Sequence, residues 1–94
     1  MNVQWTQRAR RQFLAIIDTL LEEHPSAAER AYDAITDSVS RLATFPELGR
    51  RGRVPDSREL VVPSQPSIVT YRIRRQTVHI LAVLHGARKW PEQF

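Results

Sequence analysis

The sequence predicts an α+β fold: an N-terminal strand, then an antiparallel two-helix hairpin packed on one face of a mostly antiparallel sheet, in the order β-α-α-β-β-β. Three observations point there. Two long stretches in the first half repeat apolar residues at helical spacing. Two later stretches, Ile68 to Arg74 and Val78 to Leu84, are rich in β-branched and aromatic residues and flank a short polar turn. The strands follow the helices as a run instead of alternating with them, which is the pattern of an antiparallel sheet. The 94 residues suffice for one domain spanning 1–94 with one core, and not for two.

Asn2 to Trp5 forms a short strand with Val3 and Trp5 on one face. Thr6 is placed to cap the first helix, whose apolar residues fall at Ala9, Phe13, Ile16, Ile17, Leu20 and Leu21. His24-Pro25 ends it, because the residue before a proline is pushed away from the helical region. Ser26-Ala-Ala-Glu29 has the form of a capping box for the second helix, and His24 as cap with Pro25 in the first turn is an equal alternative. The second apolar stripe runs through Ala28, Ala31, Tyr32, Ile35, Val39 and Leu42 and stops before Phe45-Pro46. So short a link makes the two helices antiparallel.

Phe45 to Pro55 is the one long irregular stretch, punctuated by Gly and Pro and carrying Arg50, Arg51 and Arg53. It reads as an exposed basic loop. Arg58 to Val62 is the next strand, which Pro63 ends or confines to an edge. Ser64-Gln-Pro66 then turns into the central hairpin.

If Arg75-Gln76 form the turn of that hairpin, Ile73 faces Val78, Tyr71 faces Ile80 and Val69 faces Ala82. These six make the core side. The other side pairs Arg72 with His79, Thr70 with Leu81 and Ile68 with Val83, with His85 beyond. Arg-Gln matches poorly to the primed turns, which favour Gly or Asn. The mixed face is suited either to a phosphate or RNA, through Arg72, His79 and His85, or to a partner's side chains, through Leu81 and Val83. His79 and His85 are the natural acid–base candidates. A basic and aromatic run, His85-Gly-Ala-Arg88-Lys89-Trp90, follows the last strand.

Charge is divided between the halves of the chain. The net is +4, but residues 1–49 hold five Arg against seven acids and residues 50–94 hold nine Arg and Lys against three. The second half is therefore built to meet something negative, either nucleic acid or an acidic segment of another protein. With no cysteine, neither a disulfide framework nor a thiolate metal site can form, and a reducing cytoplasm fits. His24, His79 and His85 lack acidic partners at metal-ligating spacing, so no metal and no cofactor is expected. No membrane span, signal peptide, Ser-His-Asp motif or phosphate-binding Gly loop is visible.

Motifs spread over nearly the whole chain carry a family likeness. They are Trp5-Thr-Gln-Arg-Ala-Arg-Arg11, His24-Pro-Ser-Ala-Ala-Glu-Arg30, Leu42-Ala-Thr-Phe-Pro-Glu-Leu-Gly-Arg50, Arg53-Val-Pro-Asp-Ser-Arg-Glu-Leu60, Ile68-Val-Thr-Tyr-Arg72 and Val83-Leu-His-Gly-Ala-Arg-Lys-Trp90. In this order they resemble the RelE/ParE superfamily of type II toxin–antitoxin toxins. The resemblance implies a bacterial toxin neutralised by a cognate antitoxin with an acidic, partly disordered tail, the two forming a hetero-oligomer. ParE-like members inhibit DNA gyrase, and RelE-like members cleave messenger RNA on the ribosome. If this chain is a nuclease, the resemblance implies His85, Arg58 and Arg88 as its catalytic set, with Arg72 as a further clamp. If it is a binding toxin, the surface for target or antitoxin comprises Arg50, Arg51, Arg53, Arg72, His79, Leu81, Val83, Lys89 and Trp90. Ser67-Ile68 and Leu60 stand where the nuclease pattern has further basic residues, and no Tyr follows the tail. The ParE-like reading is the one expected.

Overall fold

The computed structural model describes residues 1–86, so Arg88, Lys89 and Trp90 lie outside the described residues. The elements are β1 (Asn2–Trp5), α1 (Gln7–Glu23), α2 (Pro25–Thr44), β2 (Arg50–Arg51), β3 (Arg58–Val61), β4 (Ser67–Arg74) and β5 (Thr77–His85). They build one sheet of order β1-β5-β4-β3-β2. β1 runs parallel to β5, and every other neighbouring pair is antiparallel. The β4–β5 hairpin thus sits inside the sheet, with a shorter strand on each side.

Thr6 caps α1 as expected, its hydroxyl oxygen accepting the Ala9 amide at 3.1 Å. Only His24 separates the helices. It caps α2 without a side-chain hydrogen bond, and Pro25 occupies the first turn, so the second of the two capping alternatives is the one adopted. The end of α2 returns to the start of the chain, where the Met1 ammonium donates to the Ala43 carbonyl at 3.1 Å. Ala9, Phe13 and Ile16 of α1 and Ile35, Val39 and Leu42 of α2 close on Val69, Tyr71, Val78, Ile80 and Val83 of the sheet. Buried Ala28 and Ala31 keep the α2 surface low. Trp5, Phe13 and Tyr32 form a row of tilted rings with centroids 5.4 and 5.5 Å apart, the offset geometry that ring quadrupoles favour.

Part of the expected basic loop is sheet. Arg50 and Arg51 pair with Glu59 and Arg58, so β2 forms the edge beyond β3. The hairpin turn falls on Arg75 and Gln76, with φ of 51° and 60°. Positive φ at both central residues is the type I′ geometry that suits strand twist. The tertiary fold imposes it on two residues whose side chains oppose it, a strain on the order of 1 kcal/mol each.

From that turn the register runs as expected through Tyr71↔Ile80, and then it shifts. Thr70 pairs with Ala82 and Val69 with Val83, leaving Leu81 as an extra residue. Because side chains alternate with a period of two, one added residue swaps the faces of everything beyond it. Val83, expected on the mixed face, is therefore in the core opposite Val69. Ala82, expected in the core, joins the other face opposite Thr70. His85 moves to the helix side of the sheet, paired with Ser67. The mixed face is also less open than expected, since Thr70, Leu81, Ala82 and Leu84 are all buried.

The shift has a clear physical support. β1 stops pairing at Trp5↔Ile80, where the extra residue begins. The Thr6 amide and hydroxyl take the carbonyls of Ile80 and Leu81, at 3.0 and 3.4 Å. Further along α1, the Gln12 side-chain carbonyl accepts the Val83 amide at 3.0 Å. Side chains at the start of α1 replace the ladder partner that β1 no longer provides. Among the described residues, no helix is long and apolar enough to cross a membrane.

Gln12→Ala should leave the Val83 amide without its partner and cost about 1–2 kcal/mol. A fall in melting temperature of roughly 5–10 °C, with unchanged far-UV circular dichroism, is the expected result for a domain of this size.

Candidate functional site

Tyr71 and Arg58 form a cross-strand pair that holds the segment following α2. The Tyr71 hydroxyl, on a fully buried side chain, donates to the Pro46 carbonyl at 2.7 Å and accepts the Gly49 amide at 2.8 Å. Burial pushes its phenol pKa up, and the hydrogen bond from Gly49 works against that shift. Arg58 Nη1 donates to the carbonyls of Gly49 at 2.8 Å and Glu47 at 3.4 Å. The approach is so close that a Cβ on Gly49 would lie 2.7 Å from both Cε1 and the hydroxyl of Tyr71. Arg58 is thus partly a structural cation: one arm of its guanidinium is committed to this turn.

Four further cations, Arg50, Arg53, Arg72 and Arg74, are held by two carboxylates. Glu59 is 2% exposed, and its Oε1 meets Arg50 at 3.3 Å. Its Oε2 accepts the Arg53 amide at 2.8 Å with the Arg53 Nε at 3.8 Å. These bonds tie the segment after β2 back onto the sheet. Asp56 plays the second part at the turn end of the hairpin. Arg72 Nε donates to its carbonyl at 3.0 Å and lies 3.3 Å from Oδ2, which also pairs with Arg74. The hydrogen bond from Arg74 holds the Asp56 carboxyl below its ordinary value of 3.8. Asp56 adopts φ of 62°, a conformation that a short polar side chain tolerates.

Between these groups lies an open groove of about 490 Å³ lined by Arg51, Gly52, Pro55, Asp56, Ser57, Arg58, Arg72 and Ile73. Three guanidinium groups against one carboxylate make it a place for an anionic group. His79 sits half-buried opposite Arg72, as expected.

His85 lies elsewhere. Its Nδ1 is 2.5 Å from the hydroxyl of Ser67, which is 2% exposed. In the sheet, His85 is level with Ser67 and Arg58 is level with Tyr71. Four residues of extended β4 place these levels about 13 Å apart. The structure therefore does not bring His85 to Arg58, whereas His79 stands opposite Arg72 and Arg88 lies outside the described residues. Among the described residues, no group of three or more His, Cys, Asp and Glu is arranged to hold a metal ion.

Several groups that shape this surface escaped the sequence reading: Glu59, Asp56, Ser67 and the structural use of Tyr71. Asp56 and Glu59 are the only acids among residues 50–86, and that isolation within a basic stretch was the signal available. Apolar side chains are exposed in two further places. Leu14, Leu21 and Tyr32 lie on the helices, with a hollow of about 280 Å³ lined in part by Ile17, Leu21, Ala28 and Tyr32. Phe45 and Leu48 project from the turn that Tyr71 and Arg58 hold.

Comparison with known proteins agrees with this architecture. The family described as the ParE toxin of the type II toxin–antitoxin system, parDE, matches residues 3–90. A putative toxin, Y4kP of Sinorhizobium fredii, is 40% identical over 91 residues, covering 97% of this chain and 94% of the relative. Toxin RelE2 of Caulobacter vibrioides is 34% identical over 87 residues, covering 93% and 97%. Among solved structures, a chain of a chromosomal ParDE system from P. aeruginosa superposes with a TM-score of 0.79 at 27% identity, covering 88% of this chain and 92% of that one.

Two outcomes follow from the geometry. Gly49→Ala should cost about 2 kcal/mol in urea denaturation, because fully buried Tyr71 cannot yield to the added methyl. Asp56→Asn should lower the melting temperature at neutral pH. A carboxyl with a depressed folded pKa contributes stability above its unfolded pKa and loses it as pH falls through the folded value. The wild-type advantage should therefore be full at pH 7, shrink below about pH 4 and vanish in stronger acid.

Proposed function

The chain belongs to the ParE toxin family of type II toxin–antitoxin systems, and from that premise we propose that it inhibits DNA gyrase by binding it, once released from a cognate antitoxin. The observation that carries this reading is the separation of His85 from the arginine groove. Attack by a ribose 2′-hydroxyl needs a base, an acid for the leaving oxygen and cations on the same phosphate, each within hydrogen-bond reach. Here Arg51, Arg58 and Arg72 line the groove at one end of the sheet, and His85 stands at the other, bonded to Ser67 beside a hollow that Arg53 helps to line. Arg58 also spends part of its donor set on the Pro46–Gly49 turn.

The antitoxin is proposed to supply an acidic segment. Arg50, Arg51, Arg53 and Arg74 are exposed, and with half-buried Arg72 they present a basic border along β2 and the turn end of the hairpin. Their pairing with an acidic tail would speed association and weaken with salt. The cytoplasm is the proposed site of action.

A ribosome-dependent endoribonuclease is the second reading. The groove lined by Arg51, Arg58 and Arg72 favours it, since three guanidinium groups suit a phosphate.

Purified protein should block gyrase supercoiling and leave messenger RNA on translating ribosomes uncut. Specific cuts in the ribosomal A site, with gyrase unaffected, would overturn the proposal. His85→Ala should leave growth arrest intact, whereas a general acid or base at that position would make the substitution cost about 10²–10⁴-fold.

A further inference from the structure

We propose that the turn from Phe45 to Leu48 is the surface that docks on the inhibited target, with Phe45 and Leu48 entering an apolar socket of a folded protein. Only the target's identity as gyrase rests on the function proposed above.

Phe45 is 60% exposed and Leu48 is 48% exposed, so two large apolar side chains face solvent three residues apart. Isolated exposed apolar residues are ordinary. What sets these apart is how firmly they are held. The Phe45 amide donates to the Arg41 carbonyl at 2.8 Å, and the Leu48 amide donates to the Phe45 carbonyl at 3.1 Å. Between and just after them, Tyr71 fixes Pro46 and Gly49, and Arg58 fixes Glu47 and Gly49. A fully buried tyrosine and a guanidinium are thus spent on the backbone of a surface turn. A preorganised backbone loses little freedom on association, which is the physical profile of a binding anchor.

The shape chooses the kind of partner. Among the described residues, the hollow at this turn is lined by Thr44, Phe45, Pro46, Glu47 and Leu48, so no second described element provides an opposite wall. A disordered tail gains by laying its own side chains into grooves, and it has no socket to offer a projecting turn. A folded partner does.

Charge narrows the partner further. Arg41 precedes the turn by one helical turn, and Arg51 follows it in the same sheet row as Arg58 and Tyr71. Both are exposed, and neither has an ion-pair partner among the described residues. Within the turn itself the one acid is Glu47, also exposed. The fitting socket is apolar at its centre and carboxylate-bearing at its rim, the arrangement in which aromatic and Arg anchors dominate binding.

The test compares wild type with Phe45→Ala/Leu48→Ala in the full chain, reading melting temperature, antitoxin binding, growth arrest and gyrase inhibition. The expected result is an unchanged melting temperature, antitoxin binding kept, growth arrest lost and gyrase inhibition weakened by about 30-fold or more. The conservative pair Phe45→Leu/Leu48→Met should retain arrest. Should the alanine pair lower the melting temperature, Leu48→Gln alone gives the same readout at a half-exposed site. Growth arrest retained by the alanine pair overturns the proposal, and so does a loss of antitoxin binding as large as the loss of inhibition. If arrest is lost with fold and antitoxin binding intact while wild type spares gyrase, the docking surface stands and the gyrase reading falls.

Discussion

Where β1 runs out, β5 loses the strand beside it, and the amide of Val83 is taken up by the side chain of Gln12. Much of the sheet depends on that handover. It lets β5 hold one residue more than β4 across the same span, and that residue decides which side chains face the helices beyond it. Val83 enters the core and His85 turns to the helix side because α1 begins close enough to β5 for Thr6 and Gln12 to serve as ladder partners. A backbone group buried without such a partner would cost as much as a lost hydrogen bond.

The basic character of the chain is only partly a surface property. Glu59 fastens Arg50 and Arg53, Asp56 fastens Arg72 and Arg74, and the carbonyls of Glu47 and Gly49 fasten Arg58. Arginine suits this double duty, because a planar fork can hold a structural oxygen with one edge and present donors to solvent with another. The groove at the turn end of the hairpin is the result: Asp56 holds Arg72 and partly offsets its charge, two carbonyls hold Arg58, and Arg51 has no ion-pair partner among the described residues. Such a surface can attract an acidic partner, and His79, the imidazole opposite Arg72, is not among the described residues that line the groove. That combination fits a binding toxin better than a nuclease.

A second consequence concerns Tyr71. Its ring is part of the core, and its hydroxyl orders a turn on the surface. Core packing and surface presentation therefore share one side chain, with Gly49 as the residue whose missing Cβ permits the approach. The exposed apolar pair at Phe45 and Leu48 is displayed on a turn tied by Tyr71 and Arg58.

Most of the fold was legible in the sequence. The helices, their buried stripes, the strands and the core half of the hairpin nearest the turn all follow from period, caps and proline positions, which are local properties of neighbouring residues. Asp56 and Glu59 were visible as rare acids but not as clamps, because their partners come from other elements. The extra residue at Leu81 had no local mark. With a period of two, a single residue inverts an entire strand end, and whether it is inserted depends on where β1 stops and on a glutamine of α1. The sequence alone determined an α+β toxin fold with a basic second half. Tertiary structure decided which face each residue takes, which cations are already bound, and that His85 stands apart from Arg58 and its groove, since all three are set by contacts between residues distant in the chain.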